Sequence, residues 1–263
     1  MEPELQRLRT TFEEVPELYD RARPTYPAQL FDDLAAIAEL PEASRIVELG
    51  CGTGQATIPL AERGYRVTCV ELGEQLAGAA RRRLAVFPAV EVVNAAFETW
   101  EPEVAAFDAV VAFTAFHWID PEVRYGKSAS LLGRGGTLAV VESKHVLAED
   151  GDPFFAEVQQ DYVALTDETD ESPPPHPDVV PDLGDQIEGS GYFRFVRSKR
   201  YVWDVIYTAD EYIDVLDTYS GHRTLDGDTR TLLYERIRDR IRTRPEGVVR
   251  KSYLAILDVA KRL

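Results

Sequence analysis

Eight residues, Val47-Glu48-Leu49-Gly50-Cys51-Gly52-Thr53-Gly54, followed by an acid at Glu71, form the part of this sequence best suited to chemistry. The glycines permit positive φ and let a ligand lie against the backbone where a side chain would clash. A carboxylate about twenty residues further on can accept both hydroxyl hydrogens of a ribose. Together they imply a nucleotide-like ligand. A dinucleotide loop has the spacing G-x-G-x-x-G, whereas here the third glycine comes one place early and Glu48 stands two before the first. An acid at that position suits a cationic ligand better than a pyrophosphate. Metal chemistry is not expected: His117, His145, His176 and His222 are scattered, and Cys51 and Cys69 lack CxxC spacing and read as small buried residues beside strand ends.

The elements that must position these residues follow from apolar periodicity. Residues 27–40 carry apolar side chains at helical spacing. Residues 45–49 read as a strand running into the glycine loop, with a helix over 55–63. Strands over 66–71, 90–94, 108–113 and 137–141 alternate with helices over 74–84 and 121–132. This alternation predicts a parallel sheet covered on both faces, with ligands at the carboxyl ends of its strands. Beyond residue 146 the pattern changes to a helix over 154–165, an acidic loop, and the proline-rich run 172–177, expected to be a mobile surface connection. Strands over 194–205 and 249–259 then bracket helices over 209–218 and 229–242, which predicts a hairpin-like sheet edge with the helices above it as a lid. The expected organisation is one domain over 1–263, with an N-terminal helical segment (1–40), a cofactor-binding core (41–146) and lid helices plus the last two strands (147–263).

Composition narrows the function classes. The formal charge of −17 disfavours nucleic acid as a partner, and its only candidate patches are Arg81 to Arg83, read as a solvated helix face, and the run 236–244. No apolar stretch approaches the ~18 residues of a membrane span. Residues 1–10 lack the apolar core of a secretory leader, so a cytoplasmic address is expected.

With these residues in place, the sequence resembles the class I S-adenosylmethionine-dependent methyltransferases, whose first motif E/D-x-G-x-G-x-G is matched by Glu48, Gly50, Gly52 and Gly54. Tyr19 to Pro27 looks like the Y-x-x-x-R-P-x-Y-P segment of the small-molecule branch that includes trans-aconitate-type and ubiquinone-biosynthesis-type enzymes. The resemblance implies a Rossmann-like α/β fold with a seven-stranded, mostly parallel sheet, helices on both faces and a helical lid inserted late. It implies S-adenosylmethionine as cofactor and S-adenosylhomocysteine as product. The cofactor-binding set it implies is Tyr19, Arg23, Glu48, Gly50, Cys51, Gly52, Gly54, Glu71, Leu72, Ala96, Phe97, Glu98, Phe113 and Thr114. Within it Tyr19 and Arg23 would close over the methionine end, Arg23 pairing with its carboxylate, and Glu71 would hold the ribose. An aspartate common near Ala95 in the family is missing, which leaves adenine to backbone groups and Glu98.

The acceptor side is less determined. Tyr26, Trp118, Tyr219 and His222 are candidate substrate contacts, and His117 and His222 candidate general bases. His117 reads equally well as a polar residue packed on Trp118, and Tyr212, Tyr219, His222, Trp203 and Tyr207 read better as lid packing than as ligand contacts. The expected reaction is O- or N-methylation of a small carboxylate, phenol or amine by a monomer or homodimer. Two alternatives stay open: a non-catalytic S-adenosylmethionine-binding protein, and a nicotinamide-dependent oxidoreductase. The Asn/Asp-Pro-Pro-Tyr motif of many base- and amide-modifying relatives is replaced by Thr114 to Trp118.

Overall fold

The computed structural model describes residues 16–166 and 172–263. The leader reading rests on residues 1–10 and most of the acidic loop on 167–171, outside the described residues.

The chain runs through α1 (Pro16–Ala22), α2 (Ala28–Ala38), β1 (Arg45–Leu49), α3 (Thr57–Glu62), β2 (Arg66–Glu71), α4 (Glu74–Leu84), β3 (Val90–Asn94) and β4 (Phe107–Phe113). It continues through α5 (Pro121–Leu131), β5 (Leu132–Val146), α6 (Phe154–Glu157), α7 (Gln159–Leu165), α8 (Gly184–Gly189), β6 (Phe193–Thr208), α9 (Ala209–Leu216), α10 (Ser220–Arg223), α11 (Gly227–Arg242) and β7 (Val248–Arg262). The seven strands form one sheet in the order β3-β2-β1-β4-β5-β7-β6. The first five are mutually parallel, and β7 pairs antiparallel with both β5 and β6. The sheet is thus the Rossmann-like class I methyltransferase sheet, with the strand order reversing between β1 and β4. In open α/β sheets that reversal opens a crevice at the carboxyl ends of the strands.

Local sequence accounts for most elements. Strand β1 is buried along Ile46–Leu49, as expected of a central parallel strand packed on both faces. Helix α2 buries Leu30, Phe31, Leu34 and Ala38 and stops where Glu39 turns left-handed. Asp120 caps α5 with Pro121 at its first position, and Thr208 and Glu211 form a reciprocal capping box on α9.

Three expectations change. The helix over 154–165 is two short helices, α6 and α7, meeting at Val158. The late strands are longer than their apolar runs, because β5, β6 and β7 pair with one another as far as Val146↔Ser252 and Thr208↔Val248. The proline-rich run is docked rather than loose. The Leu147 N–H donates to the Pro175 carbonyl (3.0 Å) and Arg200 to the Pro177 carbonyl (2.8 Å). Val180 then packs with Val146, Leu254 and Ile256. Helices α6, α9 and α11 share a further apolar cluster, including Phe154, Phe155, Leu216, Leu233 and Ile237, that sits against the ends of β6 and β7. Among the described residues no helix is long and apolar enough to cross a membrane.

Candidate active site

The glycine loop leaves β1 with Gly50, Gly52 and Gly54 all at positive φ (67°, 57° and 90°). A side chain at Gly50 would meet the Ala115 Cβ at 2.6 Å, and one at Gly54 would meet Leu84 at 2.9 Å, so both positions are closed by packing. Gly52 has only the Tyr19 ring at 3.9 Å and borders a cavity. Glu71, at the end of β2, accepts the Gly52 N–H (2.8 Å) on one carboxylate oxygen and the Gly73 N–H (2.9 Å) on the other. Both oxygens thereby hold the loop, and the carboxylate itself borders the cavity. Asn94 fixes the turn after β2 by donating to the carbonyls of Glu71 (3.0 Å) and Leu72 (2.9 Å).

This first cavity is lined by Tyr19, Gly50, Gly52, Glu71, Leu72, Phe97, Phe113, Thr114 and Trp118 of the anticipated residues, joined by Ala95, Ala115 and Ile119. Thr114 lies at φ 53°, an uncommon conformation for a non-glycine residue, and marks the sharp departure of the chain from β4. Its hydroxyl shares a 2.7 Å hydrogen bond with the phenol of Tyr26, whose half-buried ring packs on Phe113.

A second cavity of about 290 Å³ meets the first at Tyr19 and Thr114. Tyr26, Arg23, Tyr219 and His222 line it, together with residues that spacing alone did not assign: His145, Tyr162, Trp203, Tyr212, Lys251 and Tyr253. His222 Nε2 is 2.9 Å from the Tyr162 phenol, and burial, with the nearby charge of Lys251, pushes it down to about 4. The same causes push His145 down to about 2. The Arg23 guanidinium stacks between Tyr19 and Tyr219 and donates to the Thr218 hydroxyl (2.8 Å) and carbonyl (3.1 Å), tying the N-terminal segment to the end of α9.

Several anticipated residues line neither cavity. Glu48 is 1% exposed and accepts from the Thr57 hydroxyl (2.7 Å), so its charge faces the base of the glycine loop instead of a ligand. Cys51 is buried in the core, and Gly54 backs onto Leu84. Ala96 begins a turn in which its carbonyl accepts from the N–H groups of Thr99 and Trp100. Glu98 accepts from the Asp120 N–H (3.2 Å) and so braces α5, leaving that side of the first cavity to Leu72, Ala95 and Phe97. His117 is exposed against the Trp118 ring and borders a separate cavity with Arg124 and Glu142, which removes it as a base for the main site. Trp118 faces the first cavity and not the second.

Asp20 was missed. It accepts from the Thr53 hydroxyl (2.8 Å) and from Arg83, and its carbonyl accepts from Gln55 (3.2 Å), fastening α1 over the glycine loop. Arg83 therefore serves the site and is not merely a solvated charge. The arginines of the other basic run are paired: Arg236 and Arg240 with Asp161, Arg238 and Arg242 with Asp210, Arg244 with Asp152.

Burial and the Glu71 charge push Glu48 up to about 8, against the lowering effect of Thr57. A carboxyl raised by folding binds a proton more tightly in the native state, so it costs stability as pH rises from about 4.5 to about 8. His145 and His222 act oppositely at lower pH, since both are depressed. Glu48→Gln is expected to gain stability relative to the unsubstituted protein at pH 8 but not at pH 5, as measured by urea unfolding at the two values. An equal difference at both pH values would show that Glu48 is ionised throughout.

Comparison with known proteins agrees with this geometry. Residues 46–136 match the family described as Methyltransferase domain. An uncharacterized methyltransferase of Mycobacterium tuberculosis is 27% identical over 86% of this chain and 84% of its own length. A trans-aconitate 2-methyltransferase of Variovorax paradoxus is 36% identical over 48% of each. A solved structure from Anaeromyxobacter dehalogenans shares the fold with a TM-score of 0.61 at 23% identity, covering 90% of this chain and 97% of that one. The Phospholethanolamine N-methyltransferase 2 of Haemonchus contortus, solved with phosphomonomethylethanolamine and S-adenosylhomocysteine, shares it at 0.51 and 14% identity, over 94% of this chain and 57% of that one. The fold is that of the class I methyltransferases. Within that fold the chain carries a methyltransferase domain at residues 46–136.

Proposed function

We propose that the protein transfers the methyl group of S-adenosylmethionine to the oxygen or nitrogen of a small molecule, with the cofactor in the first cavity and the acceptor in the second. The observation that carries this reading is the junction of the two cavities at Tyr19 and Thr114, which gives a donor and an acceptor one shared wall. The donor set suits the cofactor: a carboxylate at the end of β2 bordering the cavity on the side where a ribose would lie, a glycine whose Cβ position is open toward it, and apolar Leu72, Ala95 and Phe97 beside them. Bound there, the cofactor supplies an already activated sulfonium methyl. An acceptor lone pair would take that methyl, with the thioether as the leaving group.

The protein's own work is positional. Tyr19, held by α1, and the Tyr26–Thr114 pair form the boundary across which the acceptor must point. Aligning two reactants in this way is worth about 7–11 kcal/mol. No covalent intermediate is required. A hydroxyl or amine acceptor must lose a proton, and His222, neutral near pH 7 and lining the acceptor cavity, is the histidine placed to take it. A second cavity adjoining the first speaks against a protein that only sequesters the cofactor, and the pairing of the arginines over 236–244 speaks against a nucleic-acid substrate. A small-molecule enzyme acting in the cytoplasm as a monomer or homodimer is the corresponding cellular reading.

Isothermal titration with S-adenosylhomocysteine, followed by mass-spectrometric screening of small acids, phenols and amines with S-adenosylmethionine, tests the proposal. Micromolar binding and a product heavier by one methylene are expected. A folded protein that binds neither form of the cofactor would overturn it.

A further inference from the structure

The second cavity has an electrostatic character opposite to that of the chain. The protein carries 46 Asp and Glu against 29 Lys and Arg, yet among the described residues no acid lines this cavity, while Arg23, Lys144 and Lys251 do. Lys251 is the unusual member. It is 2% exposed on β7, and its ammonium donates to the Tyr219 phenol at 3.2 Å. The rings of Phe155, Tyr212, Tyr219 and Tyr253 surround it at 5.1–5.8 Å. No carboxylate among the described residues pairs with it. Aromatic faces offset part of the cost of a desolvated cation, but they do not replace the counter-ion that an ammonium loses on leaving water. Burial accordingly pulls Lys251 below its ordinary range, and its charge together with Arg23 brings the Tyr219 phenol down although burial alone would raise it. His145 Nε2, also on this wall, is buried with no hydrogen-bond partner among the described residues.

We propose that the acceptor is an organic anion whose charged group docks on Lys251, with His145 as a second contact, and that this group is an anchor distinct from the atom methylated. The identity of the anchor rests on the methyltransferase reading above; the charge preference itself does not. The separation follows from register. The Thr114 N–H bonds to the Val141 carbonyl, while Ser252 pairs with Val146, so Lys251 lies about six residues further along β5, roughly 20 Å at the backbone. Lysine side-chain reach shortens this span, and the Arg23 guanidinium, over the rings of both Tyr19 and Tyr219, stands between the Tyr219 end, where Lys251 binds, and the Tyr19 boundary. Aromatic walls at Trp203, Tyr212 and Tyr253 suit an aryl or other flat apolar body between the two ends.

The test uses protein saturated with S-adenosylhomocysteine and titrated calorimetrically with 3-phenylpropanoate and its neutral amide, and with 2-phenylethyl phosphate and 2-phenylethanol. At least one acid is expected to bind about tenfold or more tighter than its neutral partner, the tighter acid identifying a carboxylate or a phosphate as the anchor. The preference should collapse to about twofold or less in Lys251→Met and survive in Lys251→Arg, with affinity for S-adenosylhomocysteine retained in both. Equal binding of acid and neutral partner by the unsubstituted protein, including no binding of either, overturns the anchor, as does a preference that survives in Lys251→Met. Should Lys251→Met fail to fold, the acid-against-amide comparison in the unsubstituted protein decides. A methyl ester formed from an acceptor with a single carboxylate would overturn the separation of anchor from methylated atom. Loss of S-adenosylhomocysteine binding by the unsubstituted protein would instead strike the proposed function, so the two failures are distinguishable.

Discussion

Glu71→Ala is expected to weaken S-adenosylhomocysteine binding by about 100-fold or more, as read by isothermal titration. Two hydrogen bonds to a charged acceptor are lost with the ribose, each worth about 1.5–3 kcal/mol. The loop is also released, because the Gly52 and Gly73 N–H groups lose the oxygens that now hold them. Removing both roles at once gives this substitution a larger effect on binding than on folding, where the expected cost is about 1–2 kcal/mol. Glu71→Gln should fall between, since it keeps one oxygen acceptor and presents a donor to the other N–H. A loss of less than about fivefold in a folded Glu71→Ala protein would mean that the cofactor does not rest on this carboxylate.

The second large effect separates two glycines that look equivalent in the motif. Gly50→Ala should destabilise the fold by about 2–5 kcal/mol, combining the left-handed penalty of about 1–2 kcal/mol with overpacking of about 1–3. Its new methyl would fall 2.6 Å from the Ala115 Cβ, and neither backbone has room to retreat inside the loop between β1 and β4. Gly52→Ala carries the conformational penalty alone, since its nearest neighbour is the Tyr19 ring at 3.9 Å. Its damage should appear in cofactor affinity, because the methyl enters the first cavity. Urea unfolding and calorimetric titration of both variants check this partition. Equal losses of stability would show that the close approach at Ala115 is relieved by movement.

The contrast shows what a motif encodes. Spacing identified Gly50, Gly52, Gly54 and Glu71 because each is demanded by backbone geometry or by a strand end, and both are written in adjacent residues. Spacing could not say which glycine faces a ligand. That depends on Ala115 and Leu84, which reach the loop only when β4 and α4 are in place. His117, which packs on Trp118, and Glu98 lie away from both cavities for the same reason. Each follows a strand end near the crevice, where a local reading expects a ligand contact, yet a short turn directs one into solvent and the other toward Asp120.

The acceptor cavity was the least legible part. Arg23 meets Thr218 across 195 positions, and Tyr26 meets Thr114 across 88. Lys251 carried one usable signal, a charge inside the largely apolar run that forms β7. A buried strand does not retain an ammonium without a reason, but the reason lies in rings from α6, α9 and β7 that converge only after folding.

The sequence by itself determined the class of fold, the order of strand, loop and helix, and the carboxylate of the first cavity, because periodicity and positive-φ positions are local constraints. Only the tertiary structure decided how the site is divided: that Glu48 lies beneath the loop, that Asp20 clamps α1 above it, and that an acidic chain encloses a cation-lined cavity beside Thr114. Those arrangements are set by strand order and helix packing, which bring together side chains that no spacing rule connects.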